Sequence, residues 1–564
     1  MKKKIDNLNL DSKALGALPI INHFIDRLNL HEVVSKYVPS KKNQKLSNAD
    51  SILIFVRNIL IERQPLYGLS EWIDQYDPHM VGLSVNKPTI LNDDRVGRSL
   101  DTLFDADRAS LLTEIVMKTI YDFNIDLSQL HNDSTTVTVY GEYKMGKTKR
   151  KGKPSIAITH GYNKDHRPDL KQLLFSLTVS RDGAVPIHYK AFNGNTTDDK
   201  THIQIWENIC RIAGRSDFIY VADSKLCTRE QMGYITKEGG RFISVLPETR
   251  KECRWFKAWL RTHSITWQEL HRRPDHRKPD SGVHIYWGHQ SPTPSEEGYR
   301  IIWILSSQKQ EQDAQNREQK INKTIESLSK LKEKIGTSKL KTKEKISTAV
   351  EKILDKYSSN DWFDWKTVPQ EIESYKQKGK GRPGDDTEYI KKVKQIWTFE
   401  AMPNWIKIQD DAATDGIFPL ITNICDEKEL SMKDVLMNYK FQPYIEKRHQ
   451  QFKSVFDVAP IFLKLPHRIE ALMFVYFIVL LLNALIEREL RLSMQRENIS
   501  LLPLYPEERC CKYPTTNRII SLFANQRRHI LMNKEKVLKY FYDPISDLQE
   551  TILELLKVSK ENYE

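Results

Sequence analysis

The stretch that decides the fold lies between residues 131 and 140 and reads His131-Asn132-Asp133-Ser134-Thr135-Thr136-Val137-Thr138-Val139-Tyr140. The β-branched run after Asp133 is typical of a strand, so this carboxylate lies within or beside a strand rather than in a long polar loop. A second stretch, Phe218-Ile219-Tyr220-Val221-Ala222-Asp223, is a short apolar run typical of a buried parallel strand, and it ends in a charge. The sequence therefore predicts two aspartates held rigidly at the rim of a sheet.

A third acid, Glu446, lies near the start of a predicted long helix and completes a set of carboxylates suited to a two-metal nuclease. Mg²⁺ prefers hard oxygen ligands and keeps several waters, so two or three acids and a substrate phosphate suffice to hold it. Taken one at a time, each acid is also explained as a solvated turn residue or a helix cap. The strand-like surroundings of Asp133 and Asp223 favour the metal-binding interpretation.

Length, charge and cysteine content agree with an enzyme that acts on nucleic acid. A chain of 564 residues has room for roughly two to four domains. Lys and Arg (87) outnumber Asp and Glu (74), and the net charge of +13 favours a polyanionic partner without proving one. The six cysteines form no CxxC pair and no Cys/His zinc spacing, so we expect reduced thiols in a cytoplasmic protein.

Neither a secretion signal nor a membrane span is expected. The start, Met1-Lys2-Lys3-Lys4-Ile5-Asp6, is basic, but no apolar region follows it. The longest apolar segment, Ala471–Ile486, contains Asn483 and is flanked by glutamates, which makes it short for a membrane-spanning helix. We therefore predict a buried core helix there.

The order of predicted elements indicates an α/β fold. Residues 1–126 have helical periodicity and are predicted to form a helical amino-terminal domain. In residues 127–247 this helical periodicity gives way to strand-like runs. Beyond the first strand they are predicted to form strands at Ser155–His160, Leu173–Val179 and Val185–Ala191, a helix near 198–212, the Asp223 strand, a helix near 228–237 and a last strand at 241–246. This order matches the ribonuclease-H-like fold, in which the first and fourth strands are neighbours, so Asp133 and Asp223 would lie together.

The connection between Asp223 and Glu446 is too long for a simple loop, which predicts a domain inserted at residues 248–423. Its first part is β-rich, and its second part carries heptad-like apolar positions from Ile321 to Tyr357 that predict two antiparallel helices. A solvated spacer and a DNA-binding role both remain open for this helical hairpin. Residues 424–500 are predicted to complete the catalytic core with helices, and residues 501–564 to form a helical tail.

Within the insertion, Lys378-Gly379-Lys380-Gly381-Arg382-Pro383-Gly384 is basic and rich in glycine. A Gly-Arg-Pro core fits an A·T-rich minor groove, which makes Arg382 a candidate DNA-binding residue. A plain linker is the alternative. The many tryptophans of the insertion are candidates for stacking on an extruded base, or for packing in its core.

The residues around Glu446 carry a family resemblance. Tyr439-x2-Gln442-x3-Glu446-x6-Lys453 resembles the Tyr-x2-Arg-x3-Glu-x6-Lys signature of bacterial insertion-sequence transposases of the DDE type, in the insertion sequence four superfamily. Other stretches resemble a branch of that group and occur in the same order, namely residues 161–172, 194–198, 415–423 and 466–472. The resemblance extends over most of the chain.

This resemblance implies cut-and-paste transposition by metal-dependent cleavage and strand transfer of DNA. Asp133, Asp223 and Glu446 would be catalytic and would hold two Mg²⁺ ions, for which Mn²⁺ can substitute. Tyr439, Gln442 and Lys453 would hold DNA phosphates near the cut. The partners implied are double-stranded element ends and a target, with the protein as a homodimer on DNA and no membrane involved. The resemblance also implies that the helical domain of residues 1–126 is DNA-binding and recognises the element ends.

The motif departs from the family pattern at two positions. Gln442 replaces an arginine, so a charge and a bidentate phosphate clamp are lost, and Lys447 or Arg448 would have to compensate. Pro443 cannot donate a helical hydrogen bond, so the helix is expected to begin there rather than at Tyr439. Helical spacing then places only Glu446 and Lys453 on one face.

Two other functions are compatible with the residues. One is a transposase-derived DNA-binding protein without catalysis, which the intact set of acids argues against. The other is a ribonuclease-H-like DNA nuclease that cleaves without strand transfer, which the flanking Tyr439 and Lys453 and the large insertion argue against.

Overall fold

The computed structural model of the protein describes residues 8–83, 88–141, 143, 148–274, 282–336, 340–459, 461, 463–533 and 536–564. The chain divides into two compact units. The first comprises Met1–Val245, Thr422–Cys425 and Met437–Glu564, and the second comprises Leu246–Ile421 and Asp426–Leu436. The amino-terminal residues considered for a secretion signal, Met1 to Asp6, lie outside the described residues.

The amino-terminal part of the first unit is mainly helical. Its elements are β1 (Leu8–Ala14), α1 (Leu18–Arg27), α2 (Leu30–Tyr37), α3 (Asn48–Ile61), α4 (Leu69–Gln75), α5 (Pro78–Val81), α6 (Asp93–Asp105) and α7 (Arg108–Phe123). Side chains of Ser47, Asn92 and Asp107 cap α3, α6 and α7 by accepting a backbone N–H from the first turn. Helix α3 is buried along almost its whole length, so it forms the centre of this helical layer.

A mixed sheet follows the helices in the first unit. The next elements are β2 (Gln129–Val139), the short pair β3 (Lys149–Arg150) and β4 (Lys153–Pro154), β5 (Lys171–Ser180), β6 (Pro186–Asn193), α8 (His202–Ala213), β7 (Ile219–Val221), α9 (Arg229–Lys237) and β8 (Arg241–Val245). Within this unit the strand order is β6-β5-β2-β7-β8. Strand β2 is antiparallel to β5 and parallel to β7. The first long strand and the Asp223 strand are therefore neighbours, as the sequence predicted.

The strand predicted at Ser155–His160 is wrong, because this segment forms only an isolated bridge between Thr159 and Gln172. Two of its backbone amides donate instead to side chains. The Ile156 amide donates to the Glu470 carboxylate (2.8 Å), and the Ala157 amide donates to the Asn193 side chain (2.8 Å). These side-chain acceptors replace the partners that a neighbouring strand would supply.

The second unit combines a sheet, a helical hairpin and a β-ribbon. Its elements are α10 (Lys251–Leu260), β9 (Gln268–Pro274), β10 (Val283–Gln290), β11 (Arg300–Ser306), α11 (Ser307–Glu333), α12 (Lys343–Tyr357), β12 (Phe363–Gln377), β13 (Tyr389–Pro403), α13 (Trp405–Ala412) and β14 (Ile417–Thr422). Helices α11 and α12 are the predicted hairpin, and Ile321, Leu328, Ile346 and Val350 pack in its core. Strands β12 and β13 pair only with each other among the described strands, in a ribbon that the sequence analysis did not predict.

The last elements are α14 (Met432–Tyr439), α15 (Gln442–Gln450), α16 (Pro466–Arg496), α17 (Thr516–Phe523), β15 (Arg527–Asn533), β16 (Lys536–Tyr542) and α18 (Asp547–Leu556), with a π-helical turn at Gln451–Val455. Helix α16 is long and apolar enough to cross a membrane, but its most apolar window is 94% buried inside the protein. It therefore packs as the predicted core helix.

The carboxyl-terminal tail is not purely helical, which corrects the prediction for residues 501–564. Strand β15 pairs with β16 on one side and with β1 on the other, for example Leu531 with Leu10. The partner of β15 comes from the opposite end of the chain, so no local pattern could have indicated this pairing.

Candidate active site

The two aspartates of the predicted site lie level on neighbouring strands. The parallel pairing of β2 with β7 matches Gln129 with Ile219 and His131 with Val221. Asp133 and Asp223 each follow the last of these pairs by two residues. Because neighbouring strands are about 4.8 Å apart, continuing this register brings the two backbones to the same point on the rim of the sheet.

Asp223 lies two residues beyond the end of strand β7, where the chain turns. Its backbone is extended, and its carboxylate accepts a hydrogen bond from the Lys225 amide (3.0 Å). The Ser244 hydroxyl donates to its carbonyl oxygen (2.7 Å). These two bonds fix the position of Asp223 beyond the strand end, in accord with the predicted abrupt end of the apolar run.

Helix α15 brings Glu446 to the same strand. The Gln442 amide donates to the Asn132 carbonyl (3.1 Å), and His449 Nε2 lies 3.6 Å from Asp133 Oδ2. Glu446 is four residues after Gln442 and three before His449, so all three residues share one helical face. Gln442 and His449 are buried, whereas Glu446 is exposed. The helix therefore places Glu446 beside Asp133, at the exposed edge of the contact between α15 and β2.

The environment of Tyr439 shows that all three acids are close to one point. Burial first, and then the negative charges of Asp223, Glu446 and Asp133, raise the pKa of the Tyr439 phenol to about 12. A phenol with this pKa is protonated at neutral pH and acts as a hydrogen-bond donor. Tyr439 ends helix α14, and a turn at Lys440 and Phe441 separates it from α15, the helix of Glu446.

The donor set fits a hard divalent cation. Asp133, Asp223 and Glu446 offer only carboxylate oxygens, which Mg²⁺ and Mn²⁺ prefer, and none of the three is fully buried. Within the described part of the chain, no group of three His, Cys, Asp or Glu side chains is already close enough to hold an ion. The carboxylates would therefore have to turn toward a common point when an ion binds.

A loop between β4 and β5 adds charge to this site. Lys164 donates to the carbonyl (2.6 Å) and hydroxyl (3.0 Å) of Ser134, and its ammonium lies 3.9 Å from Asp133 Oδ1. The next residue, Asp165, accepts a bond from Lys453 (2.7 Å). In the sequence, this loop stands out only as part of the family resemblance, and no role was predicted for Lys164. The only signal was its position within a stretch of the resemblance.

Gln442 does not face solvent, contrary to its prediction as a DNA-binding residue. Its side-chain oxygen lies 2.8 Å from His131 Nδ1, and its amide nitrogen donates to Asn132. The other ring nitrogen of His131 lies 2.7 Å from the Gln129 amide nitrogen. Burial lowers the pKa of His131 to about 4, so the ring is neutral. Gln442 therefore joins α15 to β2 from inside, where an arginine would bring an unmatched charge.

The remaining candidate DNA contacts divide between buried and exposed positions. Arg448 is buried, and its guanidinium bonds to Glu487 (2.8 Å) and to backbone carbonyls, so it cannot replace the missing arginine. Lys447 is exposed on the same helix. Lys453 lies in the π-helical turn, outside the regular spacing assumed for it. Arg382 is exposed in the second unit, in the tip between β12 and β13.

Comparison with known proteins gives limited matches. Residues 10–117 match a family model described as "Domain of unknown function (DUF4277)". No curated protein matches the chain. Among solved structures, the chain is similar to a piggyBac transposase in a synaptic complex with hairpin DNA, determined by cryo-EM, with 10% identity, a TM-score of 0.25, and coverage of 52% of this chain and 59% of that chain.

A second solved structure with similarity is Mos1 transposase in a paired-end complex with the left transposon end, with 9% identity, a TM-score of 0.13, and coverage of 35% of this chain and 58% of that chain. The chain thus spans less than two thirds of the length of either transposase. TM-scores this low establish neither fold nor activity, so the function has to be argued from the residues themselves.

Proposed function

We propose that the protein is a DNA transposase of the DDE type, which moves an insertion sequence by cutting its ends and joining them to a target. The observation that carries this proposal is the level placement of Asp133 and Asp223 on parallel neighbouring strands, with Glu446 presented to the same strand by α15. The strand order β6-β5-β2-β7-β8 also supports a ribonuclease-H-like core.

In the proposed reaction, water attacks a phosphodiester at the element end and the bond from phosphorus to the 3′ oxygen breaks. The freed 3′-hydroxyl then attacks a phosphodiester of another strand, and the displaced oxygen leaves with a proton. Bound by Asp133, Asp223 and Glu446, two Mg²⁺ ions, or Mn²⁺ in their place, would supply Lewis acids for the attacking and leaving oxygens.

The chain itself supplies donors around these carboxylates. The protonated phenol of Tyr439 can donate to a phosphate oxygen without adding a charge. Lys164 and Lys453 place ammonium groups beside Asp133 and Asp165, so a phosphate that enters the site meets two cations. Two element ends must be processed together, for which we propose a homodimer on double-stranded DNA, acting in the cytoplasm.

The test is cleavage and joining with DNA that carries the flanking ends of the protein's own element, in the presence of Mg²⁺. Wild type is compared with Asp133→Asn, Asp223→Asn and Glu446→Gln. Asp217→Asn is the matched control, because this exposed aspartate lies just before strand β7 and its carboxylate pairs with Arg215 (2.9 Å). We expect each of the three variants to bind DNA and to lose both steps by at least roughly a thousandfold, while the control keeps them.

The alternatives give different outcomes in the same assay. A protein that nicks the element end but never joins a pre-cut end to plasmid is a nuclease. A protein that binds the ends and never cuts with Mg²⁺ or Mn²⁺ is a DNA-binding protein without catalysis. Full activity in any of the three variants would show that the carboxylate is misassigned.

A further inference from the structure

Strands β12 and β13 form an arm that extends from the second unit. Each strand has 15 residues, and they pair in register from Phe363 with Pro403 to Gln377 with Tyr389. The base of the arm packs against the helical hairpin, where Phe363 and Phe399 join the apolar core and three tryptophans pack against it. This packing anchors a two-stranded ribbon that would be only marginally stable alone.

Beyond its base the arm is exposed on both faces. From Gln370 to Gln395, every residue except Gln377 and Thr387 is exposed. At about 3.4 Å per residue, the paired part of this region is roughly 25–30 Å long. A ribbon with neither face covered does not build a core, so its exposed side chains are free to meet a partner.

The register gives the two faces opposite character, because residues directly opposite each other share a face. One face carries Lys376, Lys392 and Lys394, interleaved with Ile372 and Ile390. In the described residues, no carboxylate lies within ion-pair distance of these three lysines. The isoleucines are 44% and 47% exposed.

The opposite face is not basic. It carries Glu371, Glu373 and Lys391, and the Lys391 ammonium is already paired with Glu373 (2.5 Å). The positive charge of the paired region is therefore concentrated on the lysine–isoleucine face. Three like charges gathered on one face repel each other unless a polyanion neutralises them.

We propose that the lysine–isoleucine face of this arm binds duplex DNA in the major groove. A two-stranded ribbon has the width that the major groove of B-DNA admits, about 12 Å. The lysines would neutralise phosphates on the groove edges, and the isoleucines offer apolar contact to thymine methyl groups. This inference rests on the proposed function only in naming DNA as the partner, since no catalytic residue lies in the arm.

The tip extends the same contact. The turn is held by a bond from the Lys378 amide to the Glu388 carbonyl (2.9 Å) and by one from the Gly384 amide to the Thr387 hydroxyl (2.7 Å). Arg382 is exposed between these bonds. If the ribbon lies in the major groove, Arg382 is placed near the DNA backbone at the far edge of the groove. It then acts from a hydrogen-bonded turn rather than from a flexible linker.

The experiment measures binding of the full-length protein to a 30-base-pair duplex of random sequence, in EDTA so that no cleavage occurs. The test variant is Lys376→Gln/Lys392→Gln/Lys394→Gln. The control is Lys323→Gln/Lys332→Gln/Lys352→Gln, which removes the same charge from exposed positions of the helical hairpin. We expect the test variant to bind at least about tenfold more weakly at 0.1 M salt, and its salt slope to fall by roughly 0.9 for each lost phosphate contact.

Three outcomes would overturn the inference: unchanged affinity and slope in the test variant, an equal loss in the control, or competition by the minor-groove ligand netropsin but not by the major-groove ligand methyl green. Circular dichroism and thermal unfolding of both triple variants establish that the fold is kept. Because binding is measured without metal, failure of the arm to bind and failure of the protein to cut are separate results.

Discussion

The Nδ1 atom of His131 and the side-chain oxygen of Gln442 lie 2.8 Å apart across the junction of strand β2 and helix α15. An amide oxygen only accepts, so His131 carries its proton on Nδ1 and accepts from the Gln129 amide at Nε2 (2.7 Å). This arrangement fixes one tautomer of a neutral ring. It also joins the strand of Asp133 to the helix of Glu446 through buried polar groups.

Gln442→Ala is expected to lower stability and cleavage together, with little change in DNA affinity. The substitution leaves His131 Nδ1 and the Asn132 carbonyl without their partner, which costs about 1–3 kcal/mol. Chemical unfolding, duplex binding and cleavage of one protein preparation measure the three effects. Gln450→Ala, an exposed glutamine on the same helix, is the control. A selective loss of DNA affinity in Gln442→Ala would instead support the phosphate-binding role predicted from the motif.

Acidification is expected to weaken the protein through His131. Its folded pKa of about 4 lies below the ordinary value near 6.5, so its contribution to stability is complete above pH 6.5 and is lost as the pH falls toward 4. The shift corresponds to about 3 kcal/mol at full effect. Unfolding free energies of wild type and His131→Gln, measured between pH 7.5 and 4.5, should converge as the pH falls. A constant difference would show that His131 does not titrate in this way.

Lys164→Met is expected to reduce cleavage by roughly 10- to 100-fold, as substitution of a group beside a metal-binding carboxylate commonly does. The Lys164 ammonium lies 3.9 Å from Asp133 Oδ1 and donates to the carbonyl and hydroxyl of Ser134. Its loss is therefore expected to change the position of Asp133, a candidate metal ligand. Lys164→Arg, which keeps the charge, should restore part of the rate. Lys237→Met, at an exposed position in α9, is the control. Normal rates in Lys164→Met would exclude this role.

Arg448→Met is expected to destabilise the protein by about 3–5 kcal/mol, because it leaves Glu487 buried without its main partner. Burial alone would raise the pKa of Glu487, but Arg448 and Arg491 hold it below its ordinary value. The pair therefore stabilises the fold above the ordinary carboxyl pKa, and that contribution is lost as the pH falls through the lowered value. The double variant Arg448→Met/Glu487→Leu should recover much of the loss in urea unfolding. Equal stability of the single and double variants would contradict this account.

Much of the core followed from local pattern. The β-branched run after Asp133 predicted β2, and the apolar run before Asp223 predicted β7, because side-chain shape and burial act over a few residues. The charged helices of the insertion were predicted in the same way, from apolar positions at helical spacing. The segment Ser155–His160 has a similar composition, but its amides bond to Glu470 and Asn193, which the local sequence does not reveal.

The sequence by itself determined the candidate residues and their local structure: three carboxylates in a given order, with Asp133 in a strand, Asp223 just after a strand and Glu446 in a helix. Only the tertiary structure decided which side chains face the solvent. Gln442 is turned into the core by its hydrogen bond to His131, which lies 311 residues earlier in the chain, and Lys164 is brought to Asp133 by a loop. The tip that carries Arg382 is likewise exposed because two strands pair beneath it. Such partners meet only when distant segments pack, since hydrogen bonds and charge pairs depend on distance in space and not on separation along the chain.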